Sequence, residues 1–336
     1  MAKCIASVGL LVSLVAVPLR ATSSEVVTTS KGTVEFIGLA NWTPEMIEQK
    51  LGYTSVDQLH YCAADLKRIG FPEAAVIGYT ENGKRYSVVT VLEPEYMHDV
   101  AFLSAPHQPV SLPASWRTLS KVVQKPDFLE GGVLDYARTL PGARSDQPPL
   151  SDGTPQPWWP ALRQLGSPAD YPHARRLLKS AVDPSIRTLA AVVLMNFSIQ
   201  DGAWRDLVRG LRDPDAMVRS TCMQALNSLA TFLPRKVDWA PAVPDVVAVL
   251  KGTNLFAFSF VLKALVATGV NPSLARSLLS HGNARLVLGY LTAEHPNEHD
   301  LAHRFLVQLA RTDLGDDAAP WRQWIANIES PSKENN

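Results

Sequence analysis

The sequence predicts an α+β module of order β-α-α-β-β with a three-stranded sheet, followed by an all-α superhelical array of stacked helix pairs. Three observations predict this division. Residues 33–38 alternate in hydrophobicity as a half-buried strand does. Asn82-Gly83 separates two later apolar runs, which is typical of a β-hairpin. From about residue 170, helical apolar stripes recur, and matching Leu194, Leu226 and Leu265 lie 32 and 39 residues apart.

Residues 1–21 are predicted to be a secretory signal peptide. Lys3 supplies the positive start, an apolar run extends from Cys4 to Pro18, and Ala21 offers a small residue for cleavage. The apolar run is too short to cross a hydrocarbon layer of about 30 Å. We therefore expect an exported, periplasmic or extracellular protein with no integral membrane span in the mature chain, and an uncleaved N-terminal anchor is the alternative.

Composition excludes one class of partner. The formal net charge of the 336 residues is zero, and hydrophobic residues make up 46% of them. A protein that binds nucleic acid regardless of sequence carries a basic excess that attracts phosphates. We therefore expect no nucleic-acid partner.

The elements of the N-terminal module follow from capping and turn residues. Thr43-Pro44-Glu45 predicts the start of a first helix that runs to about Leu51. A second helix is predicted from Ser55, which forms a capping box with Gln58, to Gly70 at its C-terminal end. The two strands of the hairpin are predicted over residues 73–79 and 85–93.

Residues 33–95 resemble the polypeptide-transport-associated (POTRA) domain of bacterial envelopes. The resemblance is carried by the strand-helix-helix-strand-strand order and by the segments VEFIGL, ADLKRIGFPEAAV and VVTVLEPE. It implies a docking module that adds a strand of a partner to an exposed sheet edge. A small α+β domain that only packs against its neighbour is the alternative.

The candidate binding residues lie on the first strand of the hairpin. Residues 85–93 should be central in the sheet, and residues 73–79 should form its edge, with Pro72 at the entrance and Gly78 near the exit. A partner strand would then bind at Ala74, Ala75, Val76, Ile77, Gly78 and Tyr79. In the alternative arrangement, the helical array covers this edge.

Residues 97–157 are predicted to be a Pro-rich connecting segment with two short helices, over 115–124 and 127–140, and a polar linker over 142–157. Trp158 and Trp159 then follow. They are predicted to cover the open end of the array, or alternatively to form an exposed recognition patch.

Residues 158–328 are similar to HEAT repeats. The similarity is carried by Asp213 in a turn and by the pair Val218-Arg219 that opens the following helix. It implies a ladder of Asp and Arg side chains that bond from one repeat to the next, with Asp183 and Arg187 as the members in the preceding unit. We expect the ladder to be incomplete, because Phe258 occupies the Arg position of the third unit.

The third unit also carries an unusually apolar helix. Phe256, Phe258 and Phe260 leave it few polar sides. Such a helix is either enclosed in the stack or forms half of a hydrophobic groove.

One motif points to metal chemistry. His295, Glu298 and His299 fit the H-x-x-E-H pattern of inverted zinc peptidases, and His303 lies one turn further on. Pro296 places the start of a helix here, so His295 is expected to be a cap rather than a helical ligand. A zinc-dependent hydrolase is therefore an alternative, as is an incidental metal site through His299 and His303.

The sequence favours a non-enzymatic protein-binding or scaffold protein of the bacterial cell envelope, with a protein or peptide as partner and no cofactor. No Gly-rich phosphate loop, nucleophile elbow or CxxC pair occurs in the sequence. A lyase-like role, by analogy with HEAT-like repeats in phycobilin lyases, is a further alternative. Cys62 and Cys222 are predicted to be buried free thiols, or alternatively one disulfide.

Overall fold

The computed structural model describes residues 24–107, 109–123 and 132–330. The predicted signal peptide and residues 124–131 lie outside these ranges. The chain is α+β, with a four-stranded mixed sheet followed by helices. The strands are β1 (Glu25–Thr29), β2 (Gly32–Ile37), β3 (Glu73–Glu81) and β4 (Lys84–Leu92). The helices are α1 (Pro44–Leu51), α2 (Ala63–Arg68), α3 (Arg117–Val123), α4 (Trp159–Arg163), α5 (Asp170–Ser180), α6 (Pro184–Leu194), α7 (Asp201–Gly210), α8 (Ala216–Phe232), α9 (Val243–Leu250), α10 (Phe258–Thr268), α11 (Ala275–Leu279), α12 (Arg285–Leu291), α13 (Pro296–Ala310) and α14 (Ala318–Glu329).

The sheet has the strand order β1-β2-β4-β3. Strand β4 lies between β2, to which it is parallel, and β3, to which it is antiparallel, so the predicted central and edge strands are confirmed. The expectation of three strands was wrong, because β1 adds a fourth strand antiparallel to β2. The five residues of β1 alternate between half-buried and exposed, which gives too short and too weak an apolar pattern to recognise.

One face of the sheet packs against α1, α2 and the 3-10 helix Val56–Tyr61. Val34, Phe36, Val89 and Val91 form the core of this layer together with residues from the helices. The predicted caps are present. Thr43 accepts a hydrogen bond from the amide of Met46, and Ser55 and Gln58 form the capping box.

The opposite face of the sheet packs on the helices of the C-terminal half. Ile37, Val88 and Leu92 belong to the same apolar core as the helices. Leu92 lies so close to Gly252 that a Cβ atom at residue 252 would meet its Cδ1 at 3.0 Å. The sheet is therefore enclosed between two helical layers.

Helices α5–α14 are stacked largely as consecutive pairs. The pairs α5/α6, α7/α8 and α9/α10 stack so that α5, α7 and α9 are neighbours on one side, and α6, α8, α10 and α13 are neighbours on the other. Within the described residues 158–330 there is no strand. Trp321 of α14 is fully buried and closes the C-terminal end of the stack.

One Arg–Asp pair of the expected ladder joins successive helix pairs among the described residues. Arg187 of α6 binds Asp213, in the turn between α7 and α8, through Nε and Nη2, each at 2.8 Å. Arg219 does not take part in it. Its Nη1 donates to the carbonyl oxygens of Asp213 and Pro214, and its guanidinium lies over the ring of Phe102. Asp183 caps α6 by accepting from the amide of Ser185.

The connecting segment is packed along the helices. The predicted helix over 115–124 is present as α3 after a 3-10 turn, whereas the described part of the helix predicted over 127–140 contains only the 3-10 helix Tyr136–Thr139. This segment lies on α8, and α3 lies on α6. Trp158 and Trp159 are buried, and Trp159 Nε1 donates to the carbonyl of Gly132.

Cys62 and Cys222 are buried free thiols. Among the helices that the structure describes, none is by itself long and apolar enough to cross a membrane. One pair, Ala240–Leu250 with Leu255–Thr268, passes on length and composition but is bent by 118°.

Candidate functional site

The free edge of β3 carries backbone groups that point away from the sheet. Asn82 and Gly83, which join β3 to β4, have φ of 51° and 75°, as the two-residue type I′ turn of a hairpin requires. In such a hairpin, Glu81 and Lys84 form a hydrogen-bonded pair, and the pairs then alternate along the ladder. The backbone N–H and C=O groups of Ala74, Val76 and Gly78 therefore point outward from the edge. Among the described residues, none of these three amides donates to a backbone acceptor outside the sheet.

An open groove of about 380 Å³ follows the first half of this edge. Ala74, Ala75 and Val76 all line it. Because the side chains of consecutive strand residues point to opposite faces, three consecutive residues can line one groove only if it runs along the strand edge. The groove therefore lies where an added strand would lie.

Two exposed aromatic side chains line the groove. Phe256 is 46% exposed and Tyr61 is 58% exposed, and both border the groove. Phe256 belongs to the 3-10 turn Leu255–Ala257, which contacts β3. The guanidinium of Arg85 stacks on the Tyr61 ring at 4.5 Å and holds it in place. These aromatic rings provide apolar contacts for side chains of a bound segment.

The groove continues past Phe256. Ala74 and Phe256 also line a second recess of about 190 Å³, which Phe102, Arg219 and Met223 border on the helical side. Phe256 thus stands between two parts of one continuous depression. The apolar helix that Phe256, Phe258 and Phe260 predicted in the third unit is therefore mostly enclosed, with Phe258 fully buried. Phe256, in the 3-10 turn before it, lines the groove.

In the second half of β3, Tyr79 and Glu81 contact the helical half, while Gly78 and Thr80 are exposed. The ring of Tyr79 stacks on His295 with ring centroids 3.8 Å apart, and the Tyr79 hydroxyl donates to Glu298 Oε1. His295 Nε2 lies 3.2 Å from Glu81 Oε1. The prediction placed Ala74–Tyr79 on one accessible edge, but only the part from Ala74 to Val76 lines the groove.

The contact between sheet and helices is a buried polar cluster. Glu35 is fully buried and accepts hydrogen bonds from the Tyr86 hydroxyl and from the amides of Glu294 and His295. Burial raises the pKa of Glu298 to about 7. Burial also lowers the pKa of His295 below its ordinary value. These residues dock the sheet on the turn that precedes α13.

His295 of the metal motif is separated from the other two histidines, whereas the rings of His299 and His303 stack with centroids 5.9 Å apart. His295 precedes α13 and faces the sheet, whereas His299 Nε2 lies 3.6 Å from Asp316 and His303 Nε2 lies 2.9 Å from Asp313. Glu298 is directed to Tyr79. The part of the chain that the structure describes contains no group of three or more His, Cys, Asp or Glu side chains arranged to hold a metal ion. The geometry gives the zinc-hydrolase alternative no support.

Sequence reasoning did not identify four residues of the groove. His60, Tyr61, Ala63 and Arg85 line it but were not singled out, and Phe256 was noted only as part of an apolar helix. Tyr61 lies off the apolar stripe of Leu59, Cys62 and Leu66. The sequence therefore indicates that Tyr61 is exposed but not that it lines a groove.

Comparison with known proteins adds no assignment. No family model matches the chain, and neither curated proteins nor solved structures give a match to it. The resemblances to POTRA domains and HEAT repeats therefore have no independent support, and the geometry of the β3 edge carries the functional argument.

Proposed function

We propose that this chain is a non-enzymatic docking protein that captures an extended segment of a partner protein by strand addition at the first half of β3. The observation that carries the proposal is the coincidence of two features at Ala74–Val76. Outward-pointing backbone groups of an edge strand lie beside an open groove lined by exposed aromatic residues. Main-chain hydrogen bonds would supply affinity, and the aromatic walls would select side chains.

The groove favours a bound segment with small or apolar side chains. Its lining is mainly apolar, with Ala63, Ala74, Ala75 and Val76 opposite the two aromatic rings. The small residues keep the edge accessible, because alanine side chains do not fill the space beside the strand. Arg85 lines the groove at one end, and Lys67 lines the second recess at the other end. Their cationic groups would hold the carboxylates of acidic residues that flank the bound segment.

We further propose that the N-terminal module is a POTRA-like domain, that the helices form a HEAT-like array, and that the protein acts in the bacterial envelope. The strand order with β4 central supports the first assignment. The stacked helix pairs and the Arg187–Asp213 rung support the second. The apolar run from Cys4 to Pro18 supports export.

The test uses nine-residue peptides selected by phage display on the full chain. Peptides that bind by strand addition should slow hydrogen exchange at the outward amides of Val76 and Gly78, since those amides acquire acceptors. Val76→Pro removes one of these donors and should reduce peptide affinity at least about tenfold.

Val76→Thr is the matched control. Threonine keeps the amide and the β-branched shape, so it should bind the selected peptides as the unchanged protein does. The proposal fails if the selected peptides bind Val76→Pro with unchanged affinity while amide exchange over residues 74–80 stays the same. It fails equally if selection yields no peptide that binds.

A further inference from the structure

A second groove lies on the side of the helix stack that α5, α7 and α9 form, opposite the side formed by α6 and α8. It is open, has a volume of about 460 Å³, and is bordered by α5, α7 and the start of α9. Four cations and two carboxylates line it, although the whole chain has a formal net charge of zero. These residues are Arg175, Lys179, Arg205, Arg209, Asp206 and Asp245. The groove is therefore a local concentration of positive charge on a neutral protein.

The carboxylates of the groove are already bound to cations. Asp206 is buried at the floor, with Arg175 Nε at 2.5 Å and Lys179 Nζ at 2.6 Å. Asp245 has Arg212 Nη1 at 2.5 Å. Both acidic groups are thus neutralised within the protein, and neither needs the remaining arginines.

Arg205 and Arg209 have donors to spare. Arg209 Nη1 lies 3.8 Å from Asp245 Oδ1, and Arg205 Nη1 lies 3.7 Å from Oδ2 of the exposed Asp238. A guanidinium has five N–H donors in a planar fork that matches a carboxylate. Both side chains are partly exposed, so an acidic ligand can reach them without a change in the fold.

The spacing of the cations fits an extended peptide. Arg175 and Lys179 are four residues apart on α5, and Arg205 and Arg209 are four residues apart on the adjacent α7. Four residues of helix rise about 6 Å. Alternate residues of an extended chain are separated by about 6.6 Å and point to the same side. Acidic side chains at alternate positions would therefore meet successive cations along one helix.

The opposite face of the array is occupied by the chain itself. The connecting segment lies on α6 and α8 through α3 and the 3-10 helix Tyr136–Thr139. Part of the same segment, at Leu103, Ser104 and Pro106, borders a small recess that shares Lys179, Asp206 and Arg209 with the basic groove and so closes one end of it. A partner that approaches the first repeats meets the basic groove rather than α6 and α8.

From these observations we infer a second binding site, independent of the β3 edge. The groove between α5, α7 and α9 binds an extended segment of a partner protein that carries acidic residues at alternate positions. Arg205 and Arg209 hold the carboxylates, and Arg175 and Lys179, which together pair with the single carboxylate of Asp206, leave a net positive charge on the neighbouring helix.

Fluorescence anisotropy with labelled eight-residue peptides tests the inference on the full chain. One probe alternates Glu and Thr, and a second has the same composition in two blocks, Glu first and Thr second. The alternating peptide should bind at least about tenfold more tightly than the block peptide, and its affinity should fall steeply as salt rises from about 50 mM to about 500 mM. Arg205→Ala combined with Arg209→Ala should reduce its affinity at least about tenfold.

Arg117→Ala combined with Arg304→Ala is the matched control, because both arginines are exposed and lie outside the groove. This variant should bind as the unchanged protein does, and thermal melting should show that both double variants are folded. Lys179→Ala gives a second, independent loss if the first variant does not fold. Equal affinity for the two peptides, or no binding at about 1 mM, would overturn the inference. Tighter binding of inorganic polyphosphate than of the alternating peptide would overturn the peptide as the ligand.

Discussion

The first half of β3 borders an open groove, whereas Tyr79 in the second half of the same strand packs against the helices. Ala74–Val76, Tyr61 and Phe256 line the same groove, so open space separates this part of the strand from the two rings. Tyr79 and Glu81 instead contact His295, and Tyr79 also binds Glu298. Both halves belong to one regular hairpin with an unbroken register.

The difference shows that the pairing of an edge strand does not decide whether the edge is accessible. The local sequence fixes which backbone groups point outward, since the Asn82-Gly83 turn sets the register. Access depends instead on residues more than two hundred positions away in the chain, such as Glu298, which meets Tyr79. Ala74 and Ala75 are small, buried residues that line the groove, while the large ring of Tyr79 reaches the helices.

The largest effect is expected on the closed side, at Glu35. Glu35→Ala would leave the Tyr86 hydroxyl and the amides of Glu294 and His295 without their buried acceptor. Three buried donors without partners should lower the free energy of unfolding by about 3 to 5 kcal/mol. Urea denaturation measures this, and Glu81→Ala, at a largely exposed carboxylate on the same side of the interface, is the control. A loss below about 1 kcal/mol would show that the cluster does not hold the sheet on the helices.

Proline scanning along β3 separates inward from outward amides. Ile77 forms a hydrogen-bonded pair with Val88 in the ladder, so Ile77→Pro removes a sheet bond and should cost about 3 kcal/mol. Val76→Pro removes only an outward donor and should cost clearly less. Thermal melting of the two variants tests the assigned register. The reverse order of stabilities would mean that the edge presents Ile77 rather than Val76 to a partner.

Glu298→Gln should change how stability depends on pH. The pKa of Glu298 is raised by burial to about 7 in the folded chain, from an ordinary value of 4.5. Between these values the folded state holds a proton that the unfolded state has lost, so the contribution of Glu298 to stability falls as pH rises from 4.5 through 7. Glutamine is neutral throughout, so at pH 8 the variant should be more stable than the unchanged protein by up to about 3 kcal/mol.

The two proteins should differ little near pH 4, where Glu298 is protonated in both folded and unfolded states. The lowered pKa of His295 has the opposite effect, because it reduces stability as pH falls below about 6.5. His295 is present in both proteins, so its effect cancels from the difference between their stabilities. Denaturation curves at a series of pH values give this difference directly. A difference that does not vary with pH would contradict a raised pKa at Glu298.

The parts that follow local rules were predictable from the sequence. Capping at Thr43 and Ser55 and the type I′ turn at Asn82 depend on a few neighbouring residues, and the β-branched composition of β4 indicated its central position. Strand β1 was missed because its pattern is short, and it is defined chiefly by its pairing with β2. Two residues of the pattern at 295–299, His295 and Glu298, contact Tyr79 of β3, and only the three-dimensional packing reveals this contact.

The candidate site was predicted in part for the same reason. The outward amides follow from the turn, but the walls of the groove come from Tyr61 and Phe256, which belong to separate elements. The ladder was likewise only partly predicted. Arg187 binds the Asp213 carboxylate of the next helix pair as expected, whereas Arg219 makes no such bond to a following pair and donates to the carbonyl oxygens of Asp213 and Pro214 in its own turn.

The smallest effect on stability is expected at Phe256, and it sharpens the contrast between the open and closed parts of the molecule. Phe256 is 46% exposed, whereas Phe258, two residues later, is fully buried. Phe258→Ala should cost about 3 to 5 kcal/mol because it leaves a cavity in the core. Phe256→Ala should cost less than about 1 kcal/mol, since water already reaches much of the ring. If Phe256 forms a wall of the docking groove, the same change should weaken binding of strand-adding peptides at least about tenfold. Chemical denaturation and peptide titration of the two variants separate these roles. A large stability loss at Phe256 with unchanged peptide affinity would make the ring part of the core and leave the groove without its aromatic wall.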